Sequence, residues 1–254
     1  MTKNIGNYAR HAQYWDWSGY DRTEEHEYWL KYAAKYGKNV LIPMCALGET
    51  GAYLAERGMT VTAFDITPEM IEEGKKRFAD VPGLQLQVAD VCNFHFEIEP
   101  VDFCYSTDFG HLLTREEIKK ALVSIAKHMR LGGCLVIETR LRIFGEESSY
   151  SPLQKFHPLS QNYPGIKVWK TGQTRYEAET GRTYISQTFY AQDAKGQTDS
   201  FEHAFYLQSY YREEWLEAFK ECGYQLVGEY SSRDVSSWQS GDSFRIFEIV
   251  KSDS

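Results

Sequence analysis

Between Asn39 and Asp65 the chain reads NVLIPMCALGETGAYLAERGMTVTAFD, and this stretch constrains the fold more than any other. A short apolar run (Val40, Leu41, Ile42) gives way to a turn of small residues with glycine at 48 and 51. Tyr53-Leu54-Ala55 begins the apolar stripe of a crossing helix, and a second apolar run closes on the carboxylate of Asp65. Strand, tight turn, helix, strand and terminal acid in that order make the nucleotide half of a Rossmann-like βαβ unit. An acid closing its second strand is placed to accept two hydrogen bonds from the vicinal hydroxyls of a ribose. The unit predicts an adenosine-type ligand.

The alternation continues. TPEMIEEGKKRF reads as a second helix with Thr67 as N-cap, Pro68 at the first helical position, and acids preceding Lys75 to Arg77. Leu84 to Val88 and Val101 to Ser106 read as the third and fourth strands, the latter followed by a turn through Thr107, Asp108, Phe109 and Gly110. REEIKKALVSIAKHMR has apolar residues at helical spacing, Leu131-Gly132-Gly133 stops it, and CLVIET makes a fifth strand. Such alternation calls for a parallel sheet with helices on both faces.

From about Arg142 to Tyr211 the pattern changes. Ser, Pro, Gly and aromatic residues dominate, then alternating strands appear, turned at Glu179-Thr180-Gly181 and Ala194-Lys195-Gly196. This segment predicts an antiparallel cap inserted after the fifth strand (142–211) within a single 254-residue domain. REEWLEAFKECG returns as a helix, and YQLVGEY and SFRIFEIV read as a closing antiparallel hairpin around a polar loop with Trp238. The architecture expected is α/β: a Rossmann-like, mostly parallel seven-stranded sheet with helices on both faces, a C-terminal hairpin and a β-rich cap.

Composition narrows the partners. With 28 basic against 36 acidic residues and a net charge of −8, the chain has no run of Lys or Arg to track phosphates, which argues against nucleic acid. The five cysteines are scattered without a CxxC pair, so neither disulfides nor a metal site is expected. No stretch of eighteen apolar residues occurs, and the start lacks an apolar leader, so no membrane association and a cytoplasmic location are expected.

The five βα steps, the acids closing the second and third strands, the Leu-Gly-Gly before the fifth, and the final helix and hairpin together resemble the class I S-adenosylmethionine-dependent methyltransferase family, over residues 30–141 and 212–251. The family's glycine-rich loop corresponds to Met44, Cys45, Ala46, Leu47 and Gly48, of which only the last is glycine, and its usual first-strand acid corresponds to Ile42. The resemblance implies S-adenosylmethionine as cofactor, with S-adenosylhomocysteine as product. Asp65 would hold the ribose hydroxyls, Ile66 and Met70 would pack on the adenine, Asp90 and Val91 would meet its edge, and Cys45, Ala46, Gly48, Ser106 and Thr107 would line the rest. An aromatic N-terminal segment, Tyr14 to Arg22, is similar to the one that folds over the cofactor in relatives of glycine N-methyltransferase and of amino-sugar N-methyltransferases. Residues 1–30 would then be a lid, with Tyr14 and Arg22 reaching the methionyl carboxylate.

Methyl transfer from a sulfonium is an in-line displacement that needs alignment and exclusion of water. A hydroxyl acceptor also benefits from a base, for which His111 in DFGHLL is the candidate, and Asp108 would hold an amine. Trp15, Arg140, Tyr176 and Tyr184 are the candidate substrate contacts, with aromatic rings suiting a flat or cationic acceptor. The expected partner is a small-molecule acceptor, methylated on nitrogen or oxygen, and the protein would be a monomer or homodimer. Two alternatives stand beside this reading. One is a degenerate fold that binds a ligand without catalysis. The other is an NAD-type dehydrogenase, which a loop with one glycine fits less well.

Overall fold

A computed structural model describes residues 6–16, 21–157, 163–234 and 241–252, with side chains from 153 to 157 excepted. Trp17, Ser18, Gly19 and Tyr20 of the aromatic segment, and Trp238, lie outside the described residues.

A helical turn, α1 (Tyr8–His11), runs into a 3-10 turn at Ala12–Tyr14, and α2 (Thr23–Tyr36) leads to the sheet. The strands and helices follow as β1 (Asn39–Pro43), α3 (Glu49–Glu56), β2 (Thr60–Asp65), α4 (Pro68–Arg77), β3 (Leu84–Val88), β4 (Val101–Ser106), α5 (Arg115–His128) and β5 (Met129–Arg140). The cap strands are β6 (Ser149–His157), β7 (Lys167–Glu177), β8 (Arg182–Gln192) and β9 (Thr198–Gln208), and the chain closes with α6 (Arg212–Glu221), β10 (Tyr224–Tyr230) and β11 (Phe244–Lys251).

The main sheet runs β3-β2-β1-β4-β5-β11-β10, parallel through β5, with β11 antiparallel between β5 and β10. Its central strands are apolar on both sides because both faces are covered. Leu41 packs with Ile118, Leu122, Ile125, Trp215 and Phe219 on the α5–α6 side. Its neighbours Val40 and Ile42 face Trp29, Leu54 and Ile71 of α2, α3 and α4 on the other. The seven-stranded, mostly parallel sheet with its terminal hairpin is therefore as expected.

Three local expectations need correction. Helix α5, opened by a Thr114–Glu117 capping box, ends at His128, before the Leu-Gly-Gly, because Met129 turns into the core and already pairs with Val101. Thr67 does occupy the N-cap position of α4 with Pro68 first in the helix, but its side chain makes no cap bond, and its backbone N–H is held by Asp65 instead. The cap also has a fourth strand, β6, paired to β7 from Ser149 to His157. It contains Pro152, which an edge strand tolerates since one row of its N–H groups is unpaired.

The cap sheet, β6-β7-β8-β9, is joined to the main sheet at one corner. There Arg142 N–H donates to the Tyr210 carbonyl (2.9 Å) and the Tyr210 hydroxyl donates to the Leu112 carbonyl (3.0 Å). Its inner face carries Val168, Phe189, Phe201 and His203, which lie against the N-terminal segment.

Candidate active site

After β1 the backbone takes left-handed conformations at Met44 (φ 59°), Ala46 (φ 51°) and Gly48 (φ 86°). The turn that glycines would make freely is thus made here with two side chains, at a cost of about 1–2 kcal/mol each. Three backbone hydrogen bonds offset that cost. Cys45 N–H donates to the Phe64 carbonyl (3.0 Å), Ala46 N–H donates to Asp65 Oδ2 (3.0 Å), and Asp65 Oδ1 accepts Thr67 N–H (2.9 Å). One carboxylate at the end of β2 therefore ties the loop to the start of α4. Burial pushes the Asp65 carboxyl up, opposed by these backbone donors. The loop also rests on α4 directly. A Cβ added at Gly74 would fall 2.1 Å from the Leu47 carbonyl oxygen.

The N-terminal segment lies across this loop. Ala12 packs with Leu47 and Met70, flanked by Tyr8 and Trp15. Its beginning is pinned to the cap, where Asn7 N–H donates to His203 Nδ1 (2.8 Å) and the Asn7 side chain donates to the Glu202 carbonyl (3.1 Å). The Tyr8 hydroxyl meets His111 Nε2 at 3.2 Å, and its ring stands edge-on to His203 at 4.5 Å. His11 lies 4.5 Å from Phe189, ring centre to ring centre. Further along, Trp15 Nε1 donates to Glu49 (3.4 Å), Arg22 lies 3.8 Å from the same carboxylate, and Asp16 pairs with Arg77.

Loop, segment and strand ends enclose a narrow cleft of about 80 Å³. Ile42, Cys45, Ala46, Gly48 and Glu49 line one wall, Tyr105, Ser106, Thr107 and Asp108 another, and Trp15, Arg22 and Glu25 the third. Burial, together with Asp65, raises the Cys45 thiol well above its ordinary value, so it stays protonated. Glu49 is pushed up to about 7 by burial and by Asp16, against the pull of Arg22. Beyond Asp108, burial lowers His111 below its usual range, while Asp108 and Asp65 oppose that shift. His111 is consequently neutral at pH 7. Burial likewise keeps the Tyr8 phenol protonated, reinforced by Asp108 and Asp65.

Of the residues singled out in the sequence, the cleft gathers Arg22, Cys45, Ala46, Gly48, Ser106, Thr107 and Asp108, with Asp65 and His111 beside it. Asp108 is turned toward its neighbours, accepting from Thr107 Oγ1 (2.8 Å) and, at its N–H, donating to Ser106 Oγ (3.3 Å). Trp15, expected at the substrate, lines this same cleft. Ile66 is half-buried next to Asp65.

The other candidates do not line this cleft. Met70 is buried beneath Ala12 and Leu47, so the segment covers it. Val91 turns into the α5-side core, and Asp90 accepts the N–H of Cys92 (3.1 Å), capping its own turn. Tyr14 points to the cap, packing on Tyr163 and Phe201, away from the cleft. Arg140 pairs with Glu146 and covers the Tyr176 ring at 4.5 Å, while the Tyr176 hydroxyl donates to Glu146 (2.7 Å). Both residues brace the root of the cap. Tyr184 stands opposite Arg175 and Tyr206, on the sheet face that Tyr176 does not share. Sequence reasoning missed Tyr8, Glu25 and Glu49. Tyr8, Ala12 and Trp15 recur at helical spacing, a signal of one packed face that includes Tyr8.

No helix among the described residues is long and apolar enough to cross a membrane. Nor do three His, Cys, Asp or Glu side chains among them gather to hold a metal ion.

Residues 40–133, from β1 into β5, match the family described as "Methyltransferase domain". With the sheet order above, they carry the fold of class I, S-adenosylmethionine-dependent methyltransferases. The chain is 21% identical to YqeM of Bacillus subtilis (strain 168) over 222 residues, 85% of this chain and 81% of that one. Among solved structures, an S-adenosylmethionine-dependent methyltransferase from Clostridium acetobutylicum superposes with a TM-score of 0.75 at 12% identity, covering 97% of this chain and 99% of that one. The sugar N-methyltransferase KedS8 from Streptoalloteichus has a TM-score of 0.72 at 17% identity, covering 100% and 96%. The fold is therefore shared with these structures at identities of 12% and 17%.

Proposed function

We propose that the protein transfers the methyl group of S-adenosylmethionine to a nitrogen or oxygen of a small molecule held between the strand ends and the cap, in the cytoplasm, as a monomer or homodimer. The observation that carries this reading is the loop at Met44–Gly48, which takes left-handed turns without glycine at 44 and 46, lines the cleft with Arg22, and is held by Asp65 beside it. A fold that had abandoned its ligand would have no reason to retain that strain. The degenerate reading is correspondingly weaker.

When bound, the cofactor supplies an activated methyl group on a sulfonium. The chain's own residues do the rest. Arg22 offers a planar donor fork to the methionyl carboxylate. Each Asp65 oxygen accepts one backbone N–H and keeps a second lone pair for a ribose hydroxyl. The docked segment excludes water through Ala12 and Trp15. Neutral His111, oriented by Tyr8, takes the proton that the acceptor loses as its lone pair forms the new bond to carbon. Asp108 holds an amine acceptor by charge. That the sugar N-methyltransferase KedS8 shares the fold supports an amine-bearing ring as acceptor.

Calorimetric titration with S-adenosylmethionine, S-adenosylhomocysteine and NAD tests the reading. Micromolar binding of the two sulfur nucleosides alone is expected, followed by turnover of small amines or phenols. Binding of none of them would leave the degenerate fold in its place.

A further inference from the structure

Ile42 stands where relatives carry an acid on the first strand, so the cleft lacks a carboxylate at that point of β1. Another element supplies one. Trp29 of α2 is buried and stacks on Tyr105 at the end of β4, with ring centres 3.9 Å apart and planes 13° from parallel. That stack fixes the register of α2, and Glu25, one turn earlier, consequently lines the same cleft as Ile42, Cys45 and Ser106. Resting on the cofactor reading above, we propose that Glu25 binds the methionyl ammonium group of the cofactor, doing from α2 what the missing acid of β1 does not.

Charge and geometry single out Glu25 among the acids of the cleft. Arg22 is the only cation among the lining residues, placed to answer a carboxylate, so a zwitterionic ligand end needs one anion nearby. Glu49 is already engaged by Trp15 and Arg22, and burial raises it to about 7, so it is only partly ionised at pH 7. Asp108 is bonded to Thr107. Glu25 lies at the N-terminus of α2, where the helix favours an anion. Arg233 stands 3.5 Å from Glu25 but spends its two-pronged contact on Glu138, at 2.8 Å on each oxygen. The guanidinium thus positions Glu25 without saturating its oxygens.

A two-by-two titration isolates this contact. S-adenosylhomocysteine and its desamino analogue, which lacks only the α-amino group, are titrated into the wild-type protein and into Glu25→Gln. Wild type should prefer the natural nucleoside by about tenfold or more, the worth of a hydrogen bond between charged groups, and Glu25→Gln should lose that preference while binding the desamino analogue as wild type does. The wild-type arm needs no substitution and so reads the preference even if the variant folds poorly. Equal binding of the two nucleosides by wild type, or an undiminished preference in Glu25→Gln, overturns the role of Glu25 and leaves the methyltransferase reading standing. If wild type binds neither nucleoside, that reading falls and this inference with it.

Discussion

Asp65 Oδ2 accepts the backbone N–H of Ala46 at 3.0 Å, so the acid that closes the second strand also holds the loop that leaves the first. Its other oxygen holds Thr67 at the start of α4. Asp65→Ala should accordingly do two things. It should abolish measurable nucleoside binding, and it should lower stability by about 1–3 kcal/mol, because two buried N–H groups lose their acceptor. Thermal melts with and without S-adenosylhomocysteine separate the two effects. An unchanged melting temperature in the absence of ligand would contradict the structural tie.

Ala46 sits at φ 51°, a conformation that glycine adopts without strain. Replacing it with glycine should stabilise the protein by about 0.5–1 kcal/mol, the relief of left-handed strain less the entropy glycine loses on folding. Met44→Gly should gain less or nothing, since the Met44 side chain packs against the α5-side core. Urea denaturation of the two variants makes the comparison, and Ala46→Val should be worse than both.

Acid should release the N-terminal segment. His203 accepts the Asn7 N–H and is surrounded by Tyr8, His11, His111 and Lys170, so protonation is opposed by burial first and by neighbouring positive charge second. Its value falls to about 4, and that of His11 to about 3. Above the unfolded value of about 6.5 neither state binds the proton and docking is at full strength. As pH falls from 6.5 toward 4, the released state takes up protons that the docked state refuses, costing about 1.4 kcal/mol per pH unit per histidine. Hydrogen exchange at Tyr8–Tyr14 should accelerate through that window, and His203→Asn, with a non-titrating side chain, should narrow the change.

His111→Ala should reduce turnover about 10²–10⁴-fold for a hydroxyl acceptor, with nucleoside affinity little changed. An amine acceptor, which carries its own lone pair, should suffer less. Single-turnover rates and calorimetry on the same preparation decide whether His111 acts in the chemical step.

Arg140→Ala should leave the acceptor KM unchanged, since Arg140 is spent on Glu146 and Tyr176 at the root of the cap. The pair is half-exposed, so the stability loss should stay below about 1 kcal/mol. A raised KM would return Arg140 to the acceptor pocket.

Elements were legible where one periodicity ruled. Val40–Ile42, Leu84–Val88 and Val101–Ser106 are strands because their apolar runs must be buried, and Asp65 was legible as a candidate because it closes such a strand. What escaped notice depends on contacts distant in sequence. Glu25 reaches the cleft only because Trp29 finds Tyr105, and Tyr8 reaches His111 only because the cap delivers His203 to Asn7. Tyr176 and Tyr184 were grouped by composition, yet the twofold alternation of the two strands sends them to opposite faces. Met70 and Val91 fit the spacing of ligand contacts but were claimed by the core.

Gly74 gives the fold a constraint of another kind. In the middle of α4 an alanine would improve helix propensity by about 1 kcal/mol, but its methyl group would collide with the Leu47 carbonyl. Loop and helix are therefore one mechanical part. A new loop grafted between Pro43 and Gly48 without its own α4 would be held at the wrong height above the sheet, so the transferable block for redesigning cofactor preference runs from β1 through α4.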